Sequence, residues 1–171
     1  GQLPADYNAL LALPGIGDYT AGAIASISFG IPVPAVDGNV LRVFSRLYND
    51  PGVITDPKVK KAFTARVMEH QPPEKAGDYN QALMELGALV CVPNGAPLCD
   101  VCPLAGLCQA HAAGTTAALP QKAKPKPRKV LPVTVALVES PAGFLVQQRP
   151  AKGLLAGLWQ PLLWELSLIH I

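Results

Sequence analysis

The chain has 171 residues, half of them apolar and 15% charged, with 14 Lys and Arg against 12 Asp and Glu. That composition supplies a buried core and reads against an intrinsically disordered chain. The longest uncharged apolar run, residues 20–36, is interrupted by Gly30, Pro32 and Pro34, which reads against a membrane-spanning helix.

No basic segment followed by an apolar one opens the chain, so no secretory leader is read there. The first residue is Gly1 and the opening sequence is already helical in character, which reads as a piece of a longer protein. Charge is uneven: residues 1–110 carry 7 cations and 10 carboxylates, residues 111–171 carry 7 and 2. Most of the excess lies in Lys122, Lys124, Lys126, Arg128 and Lys129, which suit either a phosphate contact or a solubilising linker.

The first 110 residues read as helical. Residues 6–13 predict a short apolar helix that stops before Pro14. Residues 18–29, rich in Ala, Ile and small side chains, predict a second helix just behind Gly15 and Gly17. Residues 39–48 put Val40, Leu41, Phe44 and Leu47 on one side, and residues 57–71 do the same with Val59, Phe63 and Val67 behind Pro57 in the first turn. Residues 74–90 repeat the pattern with Tyr79, Leu83, Leu86 and Val90.

Composition shifts after Cys108. Residues 111–129, rich in Ala, Thr, Pro and Lys, read as a partly extended linker. From Val130 the pattern turns to strand: Val133, Val135 and Leu137 precede a Ser140-Pro141-Ala142-Gly143 turn and residues 144–148, which predicts a hairpin. About forty residues after the linker are too few to fold independently without staples.

Three motifs carry chemistry. In Leu13-Pro14-Gly15-Ile16-Gly17 the glycines permit a tight turn that presents backbone N–H groups at a helix N-terminus. Such a helix-hairpin-helix suits a DNA phosphate and positions without reading bases; a plain interhelical turn has the same composition. In Val36-Asp37-Gly38-Asn39 the Asp stands after an extended Pro-rich stretch and before a helix. It suits a helix cap, and equally a catalytic carboxylate that stabilises a developing cation or activates a water. The third motif is Cys91, Cys99, Cys102 and Cys108, spaced C-x7-C-x2-C-x5-C. Without a secretory leader these read as metal ligands before disulfides. Only Cys99 and Cys102 form a short dyad, so an iron–sulfur cluster stands ahead of zinc on spacing.

Taken in order, Leu-Pro-Gly-Ile-Gly-Asp-Tyr-Thr-Ala-Gly-Ala-Ile, Ala-Val-Asp-Gly-Asn-Val-x-Arg-Val, Asn-Gln-Ala-Leu-Met-Glu-Leu-Gly-Ala-Leu-Val-Cys and the four cysteines resemble an adenine DNA glycosylase of the MutY type. The resemblance covers residues 1 to about 160. It implies a mainly α, helix-hairpin-helix glycosylase fold with an iron–sulfur cluster loop over residues 1–110. The linker 111–129 and the truncated start of a Nudix-like α/β domain, residues 130–171, would follow.

The implied activity is hydrolysis of the N-glycosidic bond of adenine mispaired with 8-oxoguanine or guanine in double-stranded DNA, after the nucleotide is flipped out. Asp37 becomes the carboxylate that stabilises an oxocarbenium-like sugar, Tyr19 its contact, Asn39 a supporting polar group, and Gln81 a partner for the adenine edge. Leu13 to Gly17 would bind DNA. Cys91, Cys99, Cys102 and Cys108 would ligate a [4Fe-4S] cluster, although the first gap is seven residues where the family has six. The related endonuclease III type carries a Lys nucleophile where Tyr19 stands, and a Tyr cannot form its Schiff base, which implies a monofunctional enzyme.

The family's general-acid Glu falls before residue 1, and neither Glu69 nor Glu85 stands in a matching motif, so weak or no activity is expected of the chain as it stands. A monomer with no membrane partner, in the cytoplasm if the source is bacterial, completes the expectation. Gln147-Gln148-Arg149-Pro150 and Gly153-Leu154-Leu155-Ala156-Gly157-Leu158-Trp159 match the start of the Nudix-like domain. Residues 166–171 depart from it and read as non-native. Arg42 and Arg46 are read as phosphate contacts or solvent-facing helix residues, His70 and His111 as surface or linker residues, and Trp159 and Trp164 as parts of a truncated core.

Overall fold

The structure, a computed structural model, describes residues 1–124, 127, 128 and 130–165. The chain divides into two compact units, Gly1–Lys124 and Pro125–Ile171. Lys126, Lys129 and residues 166–171, the last read above as non-native, lie outside the described residues.

All the α-helices among the described residues are in the first unit, and local chemistry sets where most of them start. Helix α1, Tyr7–Leu11, begins where the Asp6 carboxylate accepts from the Ala9 N–H at 2.8 Å. Helix α2, Asp18–Phe29, ends at Gly30 in the left-handed region. Helix α3, Gly38–Leu47, is capped by Asp37. Helix α4, Pro57–Glu69, combines a first-turn proline with Asp56, whose carboxylate accepts from the Lys58 N–H at 2.7 Å.

Residues 74–90, expected as one helix, divide into a 3₁₀ turn Pro73–Lys75, helix α5 Ala76–Glu85 and a π-helical turn Leu86–Val90. The Cys91 N–H closes the π turn on the Leu86 carbonyl at 2.7 Å. A widened turn keeps the same apolar residues and therefore leaves no mark on their periodicity.

Two apolar clusters hold this unit. The larger gathers Val36, Val40, Val43, Phe44, Ile54, Phe63, Val67 and Leu83 from α3, α4, α5 and the segments beside them. Each of its fully buried large side chains contributes about 1.5–3 kcal/mol from apolar burial. The smaller joins Leu10 of α1 to Ala21 and Ala25 of α2, with Leu13 and Ile16 packed against it.

Between α2 and α5 lies a wholly buried amide, Asn80. Its Nδ2 donates to Ser26 Oγ and the Val33 carbonyl at 2.8 and 2.9 Å, and its Oδ1 accepts from the Ala35 N–H and Gln71 Nε2 at 3.3 and 3.2 Å. That satisfies the whole side chain. It anchors an extended segment whose prolines, Pro32 and Pro34, have no N–H of their own to give.

The stretch read as a linker is divided by the fold. Helix α6, Gln109–Ala112, runs into its start, a 3₁₀ turn Thr116–Ala118 lies within its first part, and the first unit continues to Lys124. Leu119 is buried, the Gln121 carbonyl accepts from the Ile54 N–H at 2.9 Å, and the Ala123 N–H donates to Thr55 Oγ1 at 3.2 Å. An apolar side chain and a bridge to the α3–α4 loop fix what composition alone marks as spacer.

The second unit consists, among its described residues, of three antiparallel pairs. Strand β1, Val133–Ala136, pairs with β6, Leu162–Glu165. Strand β2, Glu139–Ser140, pairs with β3, Gly143–Phe144, across the expected turn, and β4, Gln147–Gln148, pairs with β5, Trp159–Gln160; the hairpin expected between residues 133–137 and 144–148 is thus confined to two residue pairs, because β1 and β4 take partners from farther along the chain. Arg149 closes the loop between β4 and β5: its Nε donates to the Leu154 carbonyl at 2.9 Å and its Nη1 to Gln160 Oε1. No described residue of this unit is buried, and Trp159 and Trp164 are 66% and 53% exposed. Among the described residues no helix is long and apolar enough to cross a membrane.

Candidate catalytic and cysteine sites

The hairpin Leu13–Gly17 joins α1 to α2. Leu13 and Ile16 point into the small apolar cluster, while Pro14, Gly15 and Gly17 are exposed. Gly15 sits at φ +82°, a conformation that excludes most other residues. The cap of α2 is Gly17, which has no side chain to cover the first-turn N–H groups. The turn therefore has an apolar underside and an exposed backbone.

Asp37 follows the segment that Asn80 anchors. Its Oδ1 accepts from the Asn39 and Val40 N–H groups at 2.8 and 2.9 Å, and its Oδ2 accepts from Asn39 Nδ2 at 2.8 Å. The positive end of the α3 dipole stands behind it. A carboxylate offers about four lone-pair positions, so these three bonds leave one on Oδ2 for a further partner. The side chain is half-buried.

Tyr19, 39% exposed on α2, donates its O–H to Met84 Sδ at 3.6 Å, which reaches α5 one turn beyond Gln81. Gln81 is exposed and donates to the Gly77 carbonyl at 3.3 Å. The structure thus joins Asp37 directly to Asn39 and brings Tyr19 to the helix that carries Gln81. Among the described residues no hydrogen bond links Tyr19, Asp37 and Gln81 to one another. Glu69 and Glu85 are both exposed.

Two residues that sequence patterning misplaced are Arg42 and Arg46. Neither contacts solvent as an open phosphate ligand would: each is only 4% exposed. Arg42 donates through Nη2 to Asn39 Oδ1 at 3.0 Å and the Gly87 carbonyl at 2.7 Å, and through Nε to the Cys91 carbonyl at 2.8 Å. A continuous run of hydrogen bonds therefore extends from the Asp37 carboxylate through Asn39 and Arg42 to the first cysteine. Burial, the largest cause, lowers the Arg42 guanidinium from its ordinary value. Arg46, one turn further on, points at the cysteines themselves. Their helical period was visible, but the inward side of an Arg is chosen by acceptors that arrive from distant segments.

Cys91, Cys99, Cys102 and Cys108 are all free thiols, half-buried, and line one largely apolar cavity with Arg46, Leu86 and Leu104. The π turn delivers Cys91, a 3₁₀ turn Cys99–Val101 delivers Cys99 and Cys102, and Cys108 precedes α6. Burial raises the Cys99 thiol, and the charges of Cys108, Cys102 and Cys91 raise it further, while Arg46 opposes them. Among the described residues no three His, Cys, Asp or Glu side chains are gathered as a site for a single metal ion. Four convergent thiols beside a buried cation are a donor set that suits a larger anionic group ligated by thiolates.

The chain as a whole is similar to known DNA glycosylases. Residues 1–27 match the helix-hairpin-helix motif family. The chain is 37% identical to the adenine DNA glycosylase of Arabidopsis thaliana over 92% of its own length and 27% of that relative. It is 35% identical to the adenine DNA glycosylase of Homo sapiens over 91% of its length and 37% of that relative. It therefore spans well under half the length of these curated relatives. Among solved structures, a thermostable thymine-DNA glycosylase superposes with a TM-score of 0.56 at 29% identity, over 66% of this chain and 51% of that one. A non-covalent endonuclease III–DNA complex gives 0.54 at 32% identity, over 67% and 51%. Across the part of those proteins that it spans, this chain is similar to adenine DNA glycosylases, and its fold is that of a helix-hairpin-helix DNA glycosylase.

Proposed function

We propose that this chain serves in a monofunctional DNA glycosylase that removes adenine mispaired with 8-oxoguanine or guanine. The observation that carries the reading is the Asp37 carboxylate, fixed at the head of α3 by three N–H donors, on a fold shared with DNA glycosylases. Its negative charge suits the positive charge that grows on a sugar as the glycosidic bond breaks. The open acceptor on Oδ2 suits a water that attacks from the same side. Asn39 holds the carboxylate, Tyr19 would serve as its contact, and Gln81 can both donate to and accept from an adenine edge. The hairpin Leu13–Gly17 would grip the phosphate backbone through its exposed N–H groups. The partner is duplex DNA, bound by a monomer.

The four cysteines would hold a [4Fe-4S] cluster, with Arg46 beside it. When bound, the cluster supplies a rigid cross-link of the 91–108 loop. The second unit would be the beginning of a Nudix-like domain, supported by its antiparallel pairs and the Arg149-closed loop.

Single-turnover release of adenine from a duplex with adenine opposite 8-oxoguanine tests the reading. Borohydride is added in parallel. The chain is assayed alone and extended upstream with the corresponding residues of the human relative. Release by the extended chain without covalent trapping is the expected result. Trapping on a duplex with an oxidised pyrimidine would favour a lyase, and tight DNA binding without release would favour a binding module.

A further inference from the structure

We propose that Arg46 couples occupancy of the four-cysteine cavity to docking of the segment 115–121. This rests on the cluster reading of the cysteines and goes beyond it. The Arg46 side chain, 4% exposed, reaches in two directions at once. Its Nη1 donates to Cys91 Sγ at 3.2 Å and to the Val92 carbonyl at 3.1 Å. Its single Nε–H is shared between the Thr116 and Leu119 carbonyls, both at 3.0 Å. Its own carbonyl accepts from Cys108 Sγ at 3.4 Å. One residue thus touches the first and last cysteines and both ends of the Thr116–Ala118 turn.

The charge balance gives this contact a direction. A buried guanidinium is costly unless an anion answers it. The Arg46 partners in the protein are three neutral carbonyls and a thiol, and among the described residues the ion pair is Arg66–Asp50, elsewhere on the fold. Thiolates that ligate a net-negative cluster supply the missing counter-charge. With the cavity loaded, Arg46 is held inward and its Nε stays aimed at residues 116 and 119. With the cavity unloaded, burying the cation has no counter-charge, and the same Nε–H loses its fixed direction. The segment 115–121 then rests on the buried Leu119 side chain, the Thr115 N–H to the Ala110 carbonyl at 2.9 Å, Thr115 Oγ1 to Asn49 Oδ1 at 2.6 Å and Ile54 N–H to the Gln121 carbonyl at 2.9 Å, with nothing fixing the carbonyls of residues 116 and 119 from the cysteine side.

Amide hydrogen exchange over residues 109–124 tests the coupling, on the whole chain with its iron in place and after anaerobic chelation, with iron content and visible absorbance recorded in parallel. Loading is expected to slow exchange of residues 115–121 about tenfold or more. In Arg46→Gln the cluster still forms on four cysteines, the loaded and stripped chains exchange alike over that segment, and the reduction potential falls with loss of the charged N–H···S contact. Arg46→Lys restores the potential in part, because it restores charge near Cys91, but not the protection, because an ammonium lacks the fork that spans both sides. A wild-type chain that takes up no iron would overturn the cluster reading and this inference with it. A wild-type chain that loads iron with no change in exchange would overturn the coupling alone, as would retention of iron-dependent protection in Arg46→Gln. The wild-type comparison needs no variant to fold.

Discussion

Asp37 caps α3, and the proposed function gives the same carboxylate a catalytic role; the two separate under substitution. Oδ1 takes the first-turn N–H groups of α3 as a cap, and Oδ2 faces Asn39 and an open position. Asparagine caps helices about as well as aspartate. Asp37→Asn should therefore leave the thermal midpoint nearly unchanged and DNA affinity intact, while adenine release by the upstream-extended chain falls about a hundredfold or more. Equal loss of folding and release would show that the carboxylate is only a cap. The residue types at this site, Asp before a helix and Asn two positions on, were legible in the sequence. The inward turn of Arg42 was not, because its acceptors are the carbonyls of Gly87 and Cys91, more than forty positions away.

At the scale of elements, α2 shows how a small side chain lets the segment that leads to Asp37 approach a helix. A Cβ on Gly22 would meet the Pro34 carbonyl oxygen at 2.1 Å, so the helix and the segment leading to Asp37 approach at a distance that only glycine permits. Gly22→Ala should cost about 1–3 kcal/mol of stability and displace Asp37 as well, so release falls together with the urea midpoint. Gly15→Ala makes a useful contrast: a Cβ there meets nothing within 4 Å, but φ is +82°. The cost is strain of about 1–2 kcal/mol, and its sharper effect should be weaker duplex binding, read by titration with undamaged DNA.

Periodicity marked the positions of α2, α3 and α4 because each has a face or a breaker that its own residues announce. It missed the π turn before Cys91, since widening one turn changes the direction of the next residue without changing which residues are apolar.

For the whole molecule, both apolar clusters and every buried residue among those described lie within residues 1–124. A chain cut after Lys124 should therefore keep its helical circular dichroism and melt within about 4 °C of the full chain, the shift that about 1 kcal/mol produces. A loss of cooperativity would show that the strands of the second unit support the first. The three strand pairs, with no buried residue among those described, should by contrast give no cooperative transition when expressed alone.

The sequence by itself determined the helical first unit, the hairpin turn, the carboxylate at the head of α3 and the four cysteines, because each depends on residue type and on spacing along the chain. Only the tertiary structure decided that Arg42 and Arg46 turn inward, that Asn80 satisfies both donors and both acceptors between α2 and α5, and that residues 109–124 close onto the first unit. These are choices of partner between distant segments. A buried polar group is settled by which acceptors surround it, and no local pattern encodes that.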